Sequence, residues 1–252
     1  MSVLLAEKDE GVLTLTLNRP EKKNAINNPL WEAIRDTFRA AADDDEVACV
    51  LLTGAGDNFS SGVDMSSFTD AGEGEHPFEA AARAVADFNK PLVAAARGAA
   101  VGGGATVLFH ADIVYAGESL RMRLPFASLA LVPEWASSYM LQANIGAQRA
   151  AELFYTAEWI DAAKALRYNL VADVLPDEEL AAHASAKARE IAQWPVSALK
   201  EIKQSLRLHH QPQIDLAFDT EQAGMLRQAG SPDNVEAVMA FMEKRAPNFR
   251  RG

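Results

Sequence analysis

The chain has 252 residues, of which 49% are apolar. That is enough for one large domain, or a core with a smaller appendage. A net charge of −11 excludes a broad phosphate-binding surface, which would need a basic excess, but leaves room for a small anionic ligand. The single cysteine, Cys49, excludes a disulfide framework and favours a cytoplasmic location. Set in "VACVLLTG", it reads as a small buried hydrophobe.

"MSVLLAEKDEG" has no basic region leading into a long apolar stretch, so no signal peptide is expected. Val3–Glu7 and Val12–Leu17 read as a hairpin turning at Asp9, Glu10 and Gly11. After the polar loop "NRPEKKNAINN", Asn28 and Pro29 suit a helix cap and first position, with Trp31, Ile34 and Phe38 on one face. A buried strand at Ala48–Leu52 runs into the Gly- and Ser-rich loop "TGAGDNFSSGVDM". Thr69–His76 reads as a mobile loop, and a helix follows over Phe78–Asn89. "LVAAA" is a strand, "RGAAVGGG" a second glycine loop opening a helix, and "DIVYAG" a further strand. The most apolar stretch, Lys90–Gly117, is broken by Arg97 and several glycines and is too irregular for a membrane span. Helices dominate after Trp135, interrupted by "LVADVL". From Val196 the pattern is wholly helical, and the face of Val235, Val238, Met239 and Met242 is expected to pack on the core or on another subunit.

Strand, glycine loop, helix, strand thus occurs twice, which points to an α/β fold of stacked ββα-like units. Glycine loops at helix starts present unpaired N–H groups to negative charge. "GAAVGGGA" does not space its glycines as a dinucleotide fingerprint, and no lysine follows Gly104 as a phosphate loop requires. Close packing accounts for Gly102 or Gly104 singly, but less well for two loops of one design.

"LNRPEKKNAI", "VLLTGAGDNFSSGVDM", "KPLVAAARGAAVGGG", "DIVYAGE" and "IGAQRAAELFYTAEWIDAAKALRYNLVADVLP" resemble, in order, the signatures of the enoyl-CoA hydratase/isomerase (crotonase) superfamily. "FMEKRAPNF" is similar to that family's last helix. The resemblance implies a ClpP/crotonase-like core of stacked ββα units over residues 1–195. It also implies a helical region over 196–252 that mediates homotrimers, or dimers of trimers. An acyl-CoA thioester is the substrate it implies. Coenzyme A enters as part of that substrate, and no separate cofactor is expected. The resemblance further implies that the backbone N–H groups of Val63 in "SSGVD" and Gly103 in "VGGGA" point at the thioester oxygen.

Hydration of a double bond conjugated to a thioester needs a water activated at the β-carbon and a proton delivered to the α-carbon. The two glutamates that family hydratases use fall at Thr106 and Phe126 in this chain, and neither side chain transfers a proton at neutral pH. Glu134 in "VPEWASS" resembles the acid of the family's Δ3,Δ2-enoyl-CoA isomerases. Moving a double bond requires only one carboxylate. By residue type alone Glu134 reads as a surface or helix-capping glutamate; in its motif it reads as the proton shuttle, beside Trp135. Hydratase and catalytically silent acyl-CoA-binding homologue remain the alternatives.

Lys23, Asn24, Ala25 and Ile26 lie where the family cradles the nucleotide, with Lys22 beside them and Ser61 and Asp64 on the adjoining loop. Asp64 also reads as a side chain that holds the loop. Lys244, with Arg245, is a further candidate for a CoA phosphate. Glu118 reads as a turn residue and His209–His210 as a solvated helix end. His76 and His110 show no metal-ligand spacing with acids or Cys49, so no metal is expected. Ser60, Ser61, Ser137 and Ser138 lack a nucleophile-elbow signature.

Overall fold

A computed structural model describes residues 2–64 and 76–250. The hairpin β1 (Leu4–Asp9) and β2 (Val12–Leu17) turns at Glu10 and Gly11, both with positive φ. Helix α1 (Asn28–Asp43) follows, with Leu30, Trp31, Ile34, Phe38 and Ala41 buried on one face. Its cap is Asn27 and not Asn28: the Asn27 side chain accepts the Leu30 N–H at 3.3 Å. Pro29 has no N–H to satisfy, so it sits without cost inside the first turn.

Strand β3 (Cys49–Gly54) precedes the first glycine loop, and α2 (Pro77–Ala86) is capped by His76, whose Nδ1 accepts the Phe78 N–H at 3.2 Å. The expected loop at Thr69–His76 falls outside the described residues, His76 excepted. Helix α2 ends three residues before the expected Asn89. Next come β4 (Leu92–Ala96), β5 (Ala99–Val101), α3 (Gly103–Thr106), β6 (Ile113–Gly117) and β7 (Arg121–Arg123). The chain continues through α4 (Ser137–Ile145), α5 (Ala147–Thr156), β8 (Trp159–Asp161), α6 (Ala162–Arg167), β9 (Asp173–Leu175) and α7 (Asp177–Ala192). It closes with α8 (Val196–Arg207), α9 (Gln211–Gln228) and α10 (Pro232–Met242).

Six strands form one sheet in the order β1-β2-β3-β4-β6-β9, parallel except for the opening hairpin. A second, small sheet takes β5-β7-β8. Each of β4 and β6 is therefore followed by a short strand in the other layer, which is the expected ββ alternation. Strand β5 lies within the expected glycine loop and β8 within a stretch expected to be helical, because three residues are too few to show a period. Leu15, Val50, Leu52, Leu92 and Ala94 face the main core with α1 and α2, while Val12, Cys49, Leu51, Val93 and Tyr115 pack under α7. Cys49 is fully buried, and burial pushes its thiol up to about 12.

Two buried lysines join the helical region to the sheet. Lys203 on α8 is 4% exposed and donates to the Lys90 carbonyl at 2.7 Å and to Asp112 at 2.9 Å. Lys90 in turn donates to the carbonyls of Ala41 and Asp44 at the end of α1. On α10, Glu236, Ala237 and Ala240 face inward, while Val235, Met239 and Met242 are exposed. The apolar face thus does not pack on this chain's core. Glu118 stands in a turn, and His209 and His210 are exposed between α8 and α9, as expected. Among the described residues no helix is long and apolar enough to cross a membrane.

Removing Lys203 leaves the buried Lys90 carbonyl without its donor, while the exposed Asp112 is solvated again. Lys203→Met is expected to lower unfolding free energy by about 2 kcal/mol, measured by urea denaturation at pH 7.

Candidate active site

The two glycine loops meet backbone to backbone. Gly62 has φ +88°, and a Cβ there would stand 2.4 Å from the Val101 carbonyl oxygen and 3.6 Å from the Gly103 nitrogen. A Cβ on Gly104 would stand 2.4 Å from the Ser60 carbonyl oxygen. Close packing is therefore the role of Gly104, against the first loop. Backbone bridges fix the contact: Val101 N–H donates to Ser60 O at 3.0 Å, and Ser60 N–H to Ala99 O at 2.9 Å. The Ser60 hydroxyl donates to Asn24 O and accepts the Gly62 N–H.

Ile26 pairs with the opposite edge of the first loop, its N–H donating to Gly62 O and its carbonyl accepting the Asp64 N–H. Because those two bonds use one edge of the loop, the Val63 N–H points to the other. Gly103 opens α3, where an N–H has no partner one turn back. Among the described residues no acceptor meets the N–H of Val63 or of Gly103. Two free donors on adjoining rigid loops can hold an oxyanion.

Glu134 stands beside them. A Cβ on Gly103 would lie 3.2 Å from Glu134 Oε1 and 3.4 Å from the ring edge of Trp31. Trp31, Trp135 and Phe78 form an aromatic wall, with Trp31 5.2 Å from Phe78 and 5.9 Å from Trp135 between ring centroids. Glu134 is only partly buried as a residue, but its carboxyl is deeply set. Burial, and then the neighbouring charge of Glu221, pushes it up to about 8.

The turn after Glu134 is strained. Trp135 and Ala136 have φ of 61° and 51°, a region that costs a side-chain-bearing residue roughly 1–2 kcal/mol. This turn separates Glu134 from α4, so Glu134 does not cap that helix, contrary to the reading by residue type. Ser138 N–H is capped instead by Glu221 of α9, at 2.7 Å. The fully buried His110 ring holds the Trp135 carbonyl at 2.6 Å through Nε2. Burial lowers the His110 imidazole to about 4, so it is neutral and donates that bond.

Neither hydratase position supplies an acid. The buried Thr106 hydroxyl donates to Gly102 O at 3.3 Å, and the buried Phe126 packs against Phe154. Lys23 to Ile26 run alongside the first loop, with Ser61 N–H donating to Lys23 O at 2.9 Å. Lys22 and Lys23 are exposed. The Asn24 side chain is buried and ties the loop to Arg19, Ala55 and Asn58, and its backbone N–H donates to Arg19 O at 2.9 Å. Asp64 is held by Arg19 at 2.9 Å and so steadies the loop. Lys244 is exposed beyond α10, which packs on the turn at Ala127–Leu129. Arg245 is engaged by Glu236 and Glu243. Among the described residues no group of three or more His, Cys, Asp or Glu side chains is arranged to hold a metal.

The family model described as Enoyl-CoA hydratase/isomerase matches residues 7–252. The chain belongs to the enoyl-CoA hydratase/isomerase family. It is 32% identical to 1,2-epoxyphenylacetyl-CoA isomerase of Escherichia coli K12, over 99% of this chain and 98% of that protein. It is equally 32% identical to 2,3-dehydroadipyl-CoA hydratase of the same organism, over 99% of each chain. The crystal structure of an enoyl-CoA hydratase/isomerase from Pseudoalteromonas atlantica T6c superposes with a TM-score of 0.95 at 36% identity, covering 98% of this chain and 99% of that one. The crotonase fold expected from the motifs is thereby established, whereas equal identity to an isomerase and a hydratase leaves the reaction to the site itself.

Sequence reading missed Phe78 and Glu221 as parts of this site and saw Trp31 only as a core residue. None lies within a glycine loop, and Glu221 is 87 positions from Glu134 by residue number. Gly62→Ala is expected to force the loops apart and cut turnover of the substrate about 100-fold, the usual loss of one oxyanion donor. Steady-state kinetics on the folded variant would check it.

Proposed function

We propose that the protein is a Δ3,Δ2-enoyl-CoA isomerase in which Glu134 carries one proton from C2 to C4 of the acyl chain. The observation that carries this reading is the raised carboxyl of Glu134 beside Gly103, with no acid at positions 106 and 126. In the forward step the ionised Glu134 takes a proton from C2. The C–H pair becomes the C1–C2 double bond of a dienolate, and negative charge moves to the thioester oxygen, held by Val63 N–H and Gly103 N–H. The dienolate then collapses: C2–C3 becomes the double bond, and C4 takes the proton back from Glu134. No water is consumed. Each oxyanion donor is worth about 3 kcal/mol of barrier, and a base with proton affinity near the working pH can both take and return the proton.

In the same proposal the Lys23–Ile26 loop, with Ser61, holds the nucleotide end of the CoA ester through backbone carbonyl oxygens, each of which can accept a second hydrogen bond, and Lys244 meets a phosphate from the end of α10. Residues 196–252 form the assembly region of a homotrimer or dimer of trimers. The exposed apolar side chains of Val235, Met239, Phe241 and Met242 support a partner for α10. Light scattering is expected to give a mass of three or six chains, and a monomer at micromolar concentration would contradict it.

The test of the reaction is isomerisation of a 3-enoyl-CoA measured beside hydration of a 2-enoyl-CoA. Isomerisation is expected to dominate, and Glu134→Gln to reduce it at least 1,000-fold while CoA-ester binding persists. Because the base must be ionised, kcat/KM should rise with pH and level off above about 8. Stability runs the other way. A carboxyl raised above its unfolded value of 4.5 contributes proton-linked stability in full below that value, and the contribution is lost as pH rises through about 8. Glu134→Gln should therefore gain stability over wild type across that window and show no gain at pH 4. Near-normal isomerisation by this variant would contradict the reading.

A further inference from the structure

The strained turn after Glu134 is gripped from a helix that contributes nothing to either glycine loop. Glu221, on α9, is 6% exposed, and its Oε1 accepts the Ser138 N–H at 2.7 Å. Burial raises its proton affinity, while the Ser138 hydroxyl and the Ser138 and Ala136 amides lower it. Its second oxygen is buried without a hydrogen-bond partner among the described residues. One turn further along the same face is Gly224, where a Cβ would lie 3.1 Å from the Val132 side chain. The face of α9 therefore touches the chain on both sides of Glu134, at Val132 and at Ser138. Helix α9 is itself anchored to α2, through Arg83 to Asp215 and Asp219 and through Gln222 to Glu79.

We propose that Glu221 is a positioning residue for Glu134: from α9 it holds the amide end of the left-handed Trp135–Ala136 turn, and so fixes where the Glu134 carboxyl stands against Gly103. The inference rests on Glu134 being the proton carrier. A plain helix cap would need only an acceptor, which Asn, Ser or Thr supplies more cheaply than a buried carboxylate. A carboxylate here adds a negative charge close enough to raise the proton affinity of Glu134. The other titratable groups around the turn are already engaged. From α2, Arg83 pairs with Asp215 and Asp219, and Glu79 accepts from Gln222. His110 is neutral and bonded to Trp135. On α4, Tyr139 is bonded to His210. In the first loop, Asp64 is paired with Arg19.

Two variants separate the geometric from the electrostatic part. Glu221→Gln keeps an acceptor for the Ser138 amide but loses the charge, and Glu221→Ala loses both. The primary readout is the carbon-13 NMR titration of the Glu134 carboxyl in glutamate-labelled protein, assigned by its absence in Glu134→Gln. The wild-type midpoint is expected at about 8, falling by roughly one pH unit, tenfold in proton affinity, in Glu221→Gln. In Glu221→Ala kcat is expected to fall at least tenfold with KM little changed, and Glu221→Gln to restore most of that loss, its rate levelling off at a lower pH than in wild type. A Glu134 midpoint unchanged in both variants overturns the proposal; should Glu221→Ala fail to fold, the Glu221→Gln titration decides alone. The titration needs no turnover. A wild type that titrates as expected yet isomerises no 3-enoyl-CoA would contradict the isomerase reading and leave this inference standing.

Discussion

Everything in the site depends on two stretches of backbone being allowed to touch. The Val101 carbonyl occupies the space where residue 62 would carry a Cβ, and the Ser60 carbonyl does the same at residue 104. With those contacts in place, the parallel ladder between Ser60 and Ala100 forms, and the free N–H groups of Val63 and Gly103 come to adjoining loops. The donors are then rigid because each belongs to a segment already hydrogen-bonded on its other edge. Preorganisation of this kind stabilises developing charge without any rearrangement during the reaction.

The second requirement is a carboxyl in a place that disfavours its charge. Trp31, Trp135 and Phe78 supply the apolar surroundings, and a left-handed two-residue turn aims Glu134 back at Gly103. The cost of that turn is offset by buried groups on elements far away in the sequence, His110 before it and Glu221 after it. The helical region is therefore joined to the chemistry as well as to the sheet, where Lys203 and Asp112 make the structural tie.

Much of this was legible in the residues. The hairpin, β4 and the core face of α1 follow from period and turn chemistry, and the glycine loops from composition. The cap at Asn27, one residue before the expected Asn28, is the ordinary uncertainty of a helix start in a run of asparagines. The short strands β5, β7 and β8 were not legible, since three residues carry no period and owe their conformation to their neighbours. Nor was Glu221 legible, because within "DTEQAG" it looks like any polar residue of an amphipathic helix. Its meaning comes from burial beside Ser138, which is a tertiary fact. Glu134 lies between these cases. The motif marked it, but residue type alone favoured a helix cap, and only the positive φ at Trp135 and Ala136 shows why it is free of that task.

If one carboxyl moves one proton within a held dienolate, a 3-enoyl-CoA deuterated at C2 and followed through its first turnovers in oxygen-18 water reports the transfer. The expected product is a 2-enoyl-CoA carrying deuterium at C4 and no oxygen from solvent. A 3-hydroxyacyl-CoA carrying oxygen-18 at C3 as the first product would contradict it.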